Sequence, residues 1–89
     1  MTTISFTPNL ARYVQAPVAR VEGATVQQVL EGYFRANPRV RGYVLDDQGA
    51  VRKHVVIFLN REPIRDRTEL SDPVRTNDEI LVVQALSGG

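Results

Sequence analysis

The segment from Thr25 to Phe34 limits the fold more than any other part of this 89-residue chain. Thr25 followed three positions later by Gln28 is a capping-box pattern, and Val26, Val29, Leu30, Tyr33 and Phe34 then recur at the spacing that lines one face of a helix. Asn37-Pro38 stops it, since proline lacks the N–H that the next turn requires. Gly32 weakens the helix by about 1 kcal/mol relative to alanine. Burial of the apolar stripe, at about 1.5–3 kcal/mol per large side chain, outweighs that loss. No other stretch reads as a clear helix, so the stripe must be covered by something flat, which means a sheet.

Strands stand on both sides of it. Thr3 to Thr7 alternates polar and apolar and ends at Pro8-Asn9, and Val18 to Glu22 is a second strand ending at Gly23. Two strands this close in sequence pair most easily as an antiparallel hairpin. Beyond the helix, Arg39 to Gly49 reads as a surface excursion that closes with a turn at Asp46-Asp47-Gln48-Gly49. His54 to Leu59 is apolar on both parities and rich in β-branched residues, which marks a strand covered on both faces or a central one with one face kept for a partner. Ile64 to Leu70 reads as a short edge strand and loop, and Ile80 to Val83 is the last strand, again apolar on both parities. The expected domain is residues 1–84, followed by a flexible C-terminal tail, residues 85–89.

Most chemistry is excluded by what the chain lacks. There is no cysteine, hence no disulfide, thiolate nucleophile or thiolate metal site. The lone histidine, His54, has no second histidine to share a metal, so no metal site is expected. Asp46 and Asp47 stand in a turn and read as an Asx turn rather than an acid–base pair. Arg61, Arg65, Arg67 and Arg75 alternate with Glu62, Asp66, Glu69 and Asp78, the pattern of a solvated face. With a net charge of +1, no nucleic-acid partner is expected. No apolar run reaches the roughly 18 residues that span a bilayer, so no membrane partner is expected either. The first residues carry no secretion signal, which makes the cytoplasm the expected location.

What remains is the end of the chain, Ala85-Leu86-Ser87-Gly88-Gly89. A Gly-Gly pair ordinarily makes a turn or ends a helix, but here nothing follows it in the sequence. Two residues without side chains, ending in a carboxylate, suit entry into a narrow channel of another enzyme. Activation of a carboxylate by attack on the α-phosphate of ATP is the usual way to make it an electrophile.

The order strand, strand, helix, strand, strand resembles the ubiquitin-like β-grasp sulfur carriers of the MoaD/ThiS type. Two stretches carry the resemblance: His54-Val55-Val56-Ile57-Phe58-Leu59-Asn60-Arg61-Glu62, similar to that family's central strand, and Asp78-Glu79-Ile80-Leu81-Val82-Val83-Gln84-Ala85-Leu86-Ser87-Gly88-Gly89, similar to its final strand and Gly-Gly end. The resemblance implies an α+β, ubiquitin-like β-grasp fold, a mixed sheet of about four to five strands with one main helix packed on one face.

The same resemblance implies a carrier rather than an enzyme. Gly89 would be the carboxylate that a partner E1-like enzyme adenylates and that becomes a sulfur-donating thiocarboxylate. Gly88 would give clearance, and Leu86 and Ser87 would line the channel entrance. No cofactor would be bound: ATP and a sulfur donor would be used through the partner enzyme. The other partners would be a sulfurtransferase or cysteine desulfurase and a downstream sulfur-accepting synthase, in a pathway to molybdopterin, thiamin, cysteine or a secondary metabolite. Two alternatives are a modifier joined to lysines through the same terminus and the small subunit of a molybdopterin-synthase-like complex. Members of the family present an apolar patch on the sheet face away from the helix. Parity puts Val55, Ile57 and Leu59 under the helix and leaves Val56 and Phe58 on that outer face, with Val83 beside them.

Overall fold

The computed structural model describes residues 1–11 and 13–84. In chain order the elements are β1 (Thr2–Phe6), α1 (Pro8–Ala11), β2 (Ala19–Val21), α2 (Val26–Ala36), α3 (Pro38–Val44), β3 (Val55–Leu59), β4 (Glu62–Pro63) and β5 (Glu79–Gln84). The strands form a five-stranded mixed sheet in the order β2-β1-β5-β3-β4. β1 and β5 run parallel at its centre, while the β1–β2, β3–β5 and β3–β4 pairs are antiparallel. The expected α+β, β-grasp architecture is the one observed.

The helix forms as its sequence dictates. Thr25 Oγ1 accepts from Gln28 N–H at 3.2 Å, while Gln28 Oε1 accepts from Ala24 N–H at 2.8 Å, one residue before the N-cap. Two more first-turn donors are satisfied from far along the chain: Val26 N–H donates to Asp72 O and Gln27 N–H to Leu70 O. The helix start therefore anchors the long segment between β4 and β5. All five residues of the apolar stripe are buried, against Ile4, Val55, Ile57, Ile80 and Val82 of the sheet. Tyr33, buried among them, donates its hydroxyl to Pro17 O at 2.7 Å, and burial pushes its pKa up.

Gly32 has a packing reason. A Cβ placed there would stand 2.7 Å from Val21 Cγ1, so the glycine lets α2 approach β2.

Three segments differ from the sequence expectation. Residues 38–44 are a helix rather than a surface excursion, and they bury Val40 and Val44. Leu45 and Val51, joined by an isolated β-bridge, extend the core under the same segment. A second helix thus packs beside the main one. The edge strand β4 is only Glu62–Pro63, and Ile64 beyond it is a buried core residue. Pro8, read as a turn residue, opens the short helix α1, where its missing N–H costs nothing.

The Asp46 turn is as expected: its Oδ1 accepts from the N–H groups of Gln48 at 2.9 Å and Ala50 at 3.0 Å.

Candidate functional site

The alternation of the central strands decides which residues can meet a partner. Along β3, Val55 and Ile57 are fully buried beneath the helices, and Val56 and Phe58 between them are half-buried on the other face. Along β5, Ile80 and Val82 are buried, while Leu81 is exposed and Val83 half-buried. The register sets these outward residues side by side, Val56 opposite Val83 and Phe58 opposite Leu81. The predicted residues Val56, Phe58 and Val83 therefore stand together on the open face, and none of them packs against the core cluster.

Leu81 completes the group, with 38% of its surface exposed. The sequence reading left it out, although its parity with Val83 was the available signal. On the far side of Leu81 lies Ser5 of β1. Phe58, Leu81, Ser5 and Thr3 line a shallow depression of about 540 Å³, rimmed by Val18 and Arg61. Phe58 and Leu81 give it an apolar patch among the polar side chains of Thr3, Ser5, Arg61 and Glu79. A larger groove of about 710 Å³, between Tyr13 and Tyr43, belongs to the helix layer and contains none of the predicted site residues.

The strand ends that hold this face are tied down locally. Asn60 and Arg61 both adopt positive φ, 50° and 75°, which closes the tight turn between β3 and β4. Asn60 donates its N–H to Glu79 O and accepts Glu79 N–H through its side chain, both at 2.9 Å. The first residue of β5 is thereby locked to the last turn of β3. Asp78, one residue earlier, accepts from Arg75 N–H at 2.8 Å; that bond first, with the Asn60 side chain and the Arg75 guanidinium, holds its carboxyl below the usual range. At the other end of β5, Gln84 N–H donates to Thr7 Oγ1 at 3.4 Å.

The predicted residues Leu86, Ser87, Gly88 and Gly89 lie outside the described residues, as does the boundary drawn at residue 85. Among the described residues there is no group of side chains that could hold a metal ion. None of their helices is long and apolar enough to cross a membrane. His54 is exposed in the turn just before β3.

A mixed sheet with parallel central strands, helices on one face and an open apolar patch on the other defines a ubiquitin-like β-grasp protein. The chain belongs to the ThiS family, whose profile matches residues 11–89. These are small carrier and modifier proteins rather than enzymes. Three solved structures share the fold across nearly the whole chain. SAMP1 from Haloferax volcanii is 24% identical with a TM-score of 0.82, covering 99% of this chain and 98% of its own. The Amycolatopsis orientalis BexX/CysO complex matches at 18% identity and a TM-score of 0.83, covering 100% of both chains. Mycobacterium tuberculosis CysO is 16% identical with a TM-score of 0.77, covering 97% of this chain and 100% of that one. No curated protein gives a significant sequence match.

Proposed function

We propose that the chain is a sulfur carrier acting in the cytoplasm, with the carboxylate of Gly89 as its reacting group. The observation that carries this reading is membership of the ThiS family over a match that runs through Gly89. The open face of Val56, Phe58, Leu81 and Val83 supports it, because β5 brings that patch up to the residues that precede Gly-Gly. An E1-like partner docks there and admits Leu86, Ser87 and Gly88 to its channel.

The chemistry is acyl activation. A Gly89 carboxylate oxygen attacks the α-phosphate of ATP, the α–β phosphoanhydride bond breaks and pyrophosphate leaves. The terminal sulfur of a persulfide on a sulfurtransferase or cysteine desulfurase then attacks the acyl carbon and expels AMP, and a thiol reduces the resulting acyl disulfide, which leaves a thiocarboxylate for a downstream synthase. Exchange of oxygen for sulfur raises the intact mass by about 16 Da. The test is mass spectrometry after incubation with ATP, an adenylating enzyme of this class and a sulfide source. An unchanged mass, with the enzyme active on its own carrier, overturns the reading.

A second reading, a protein modifier, is favoured by the likeness to proteins described as small archaeal modifier protein 1. It predicts ladders of the tagged chain on denaturing gels of cell extract, where the carrier reading predicts free protein alone. A third, a synthase small subunit, predicts co-purification with a larger subunit and is overturned by a strict monomer in extracts.

A further inference from the structure

The two segments that meet beside α3 carry positive charge alone. Residues 13–21 hold Arg20, residues 32–45 hold Arg35, Arg39 and Arg41, and neither stretch contains an aspartate or glutamate. All ten acidic residues of the chain lie elsewhere, so the net charge of +1 conceals an uneven distribution. Glu31, one turn before Arg35, is the only acidic residue on α2 or α3.

Between these segments lies the groove of about 710 Å³, which shares no residue with the depression at Phe58 and Leu81. Val14 and Val40 line it where it meets the core. Tyr13 and Tyr43 line it with ring centroids 6.4 Å apart and planes 21° from parallel. Tyr13 is 64% exposed, whereas Tyr43 packs against the core. Arg39 stands four residues before Tyr43, on the same side of α3, and is exposed. Among the described residues neither Arg39 nor Arg35 has a hydrogen-bonding or ionic partner. Arg41 is directed elsewhere, its Nη2 lying 3.9 Å from where a Cβ on Gly49 would stand.

These walls discriminate between occupants. A basic segment meets like charge, and a second copy of this chain, packed patch to patch, sets arginines against arginines. A wholly apolar segment leaves Arg39 without a counter-ion. Tyrosine and arginine without lysine or acid is the composition of the centre of a protein interface. The valines offer apolar contact that a phosphate backbone does not use, and a net charge of +1 gives little long-range pull on nucleic acid.

We propose that this groove docks an acidic segment of a partner protein, with an apolar side chain packed against Tyr13, Tyr43 and Val40 and a flanking carboxylate accepting from the Arg39 guanidinium. The inference does not depend on activation of Gly89. The groove belongs to the helix layer, so this partner and one covering Phe58 and Leu81 bind at the same time.

The test selects binders to the full chain from a displayed library of random peptides about nine residues long. Selected sequences should be enriched in aspartate and glutamate beside an aliphatic or aromatic residue. A synthetic peptide of the leading sequence should shift the backbone amide NMR signals of Tyr13, Arg39 and Tyr43, and its affinity should fall as salt is added. Arg39→Glu should weaken it by about tenfold or more, Arg39→Gln by less in the same direction, and Leu81→Glu should leave it unchanged. Urea unfolding midpoints confirm that the variants are folded. Selection without acidic enrichment, shifts confined to Val56, Phe58, Leu81 and Val83, or equal affinity in the folded Arg39 variants overturns the inference. Tighter binding of oligouridylate than of the peptide also overturns it, by assigning the groove to nucleic acid.

Discussion

Phe58 and Leu81 stand directly opposite each other across the β3–β5 ladder, on the sheet face away from α2 and α3. Their partners along the strands, Val56 and Val83, repeat the pairing one step nearer the end of β5. A charge on this face disturbs docking far more than folding, because neither Phe58 nor Leu81 is part of the buried core. Leu81→Glu should lower kcat/KM for partner-dependent adenylation by about tenfold or more, equivalent to about 1.4 kcal/mol, as expected of a central interface residue. Thermal unfolding should stay near that of the unaltered chain. Unaltered adenylation kinetics would show that the partner docks elsewhere.

Two helical glycines should respond to alanine with opposite signs. At Gly32 the new Cβ would meet Val21 Cγ1 at 2.7 Å, and the stiff valine of β2 must give way. At Gly42, in α3, nothing lies within 4 Å of the added atom. Gly42→Ala should therefore stabilise by about 1 kcal/mol through helix propensity. Gly32→Ala should destabilise by about 1 kcal/mol or more, overpacking exceeding the same propensity gain. Urea unfolding midpoints measure both, and equal signs would contradict the packing described for α2 against β2.

The features legible in the sequence are those with long or redundant patterns. The stripe of Val26, Val29, Leu30, Tyr33 and Phe34 repeats enough to fix helix, face and partner at once. β3 and β5 were legible as central strands because both parities are apolar, and parity correctly assigned Val56 and Phe58 to the open face. α3 was not legible. Its seven residues offer only Val40, Tyr43 and Val44 as a repeat and include Gly42, too little to nucleate a helix alone. Packing against α2 and the core supplies what local propensity does not. Leu81 was legible only through its parity with Val83, since both faces of β5 are apolar and the helices decide which one stays uncovered.

Removal of Gly88 and Gly89 separates function from stability. Every buried residue of the described core lies at or before Val82, so the truncated chain keeps the core intact. Its unfolding free energy should stay within about 0.5 kcal/mol of the full chain, the usual range for changes outside core and caps. The mass gain with ATP, adenylating enzyme and sulfide should vanish. A truncated chain that unfolds much more easily would give these glycines a structural role instead.

Asp66 predicts how stability responds to acid. Its carboxylate accepts from Glu69 N–H at 2.9 Å, from the Ser71 hydroxyl, and from the N–H groups of Ser71 at 3.3 Å and Thr68 at 3.1 Å. These bonds, the one from Glu69 foremost, favour the ionised form and lower its pKa to about 2. In the unfolded chain an aspartate titrates near 3.9, roughly, so the folded state holds its proton less tightly. The unfolded state then binds more protons between those two values, and stability rises with pH across that window. The contribution is complete above about pH 4 and is lost as the pH falls through about 2. The segment from Asp66 to Asp72 also satisfies the start of α2 through Leu70 O and Asp72 O, so loosening it reaches the main helix. Asp66→Asn should be less stable than the unaltered chain at neutral pH and should lose less stability between pH 4 and pH 2, leaving the two chains closer together in acid. Urea midpoints across that pH range give the comparison, and parallel pH profiles for the two chains would show that the acid sensitivity arises at other carboxylates, Asp78 first among them.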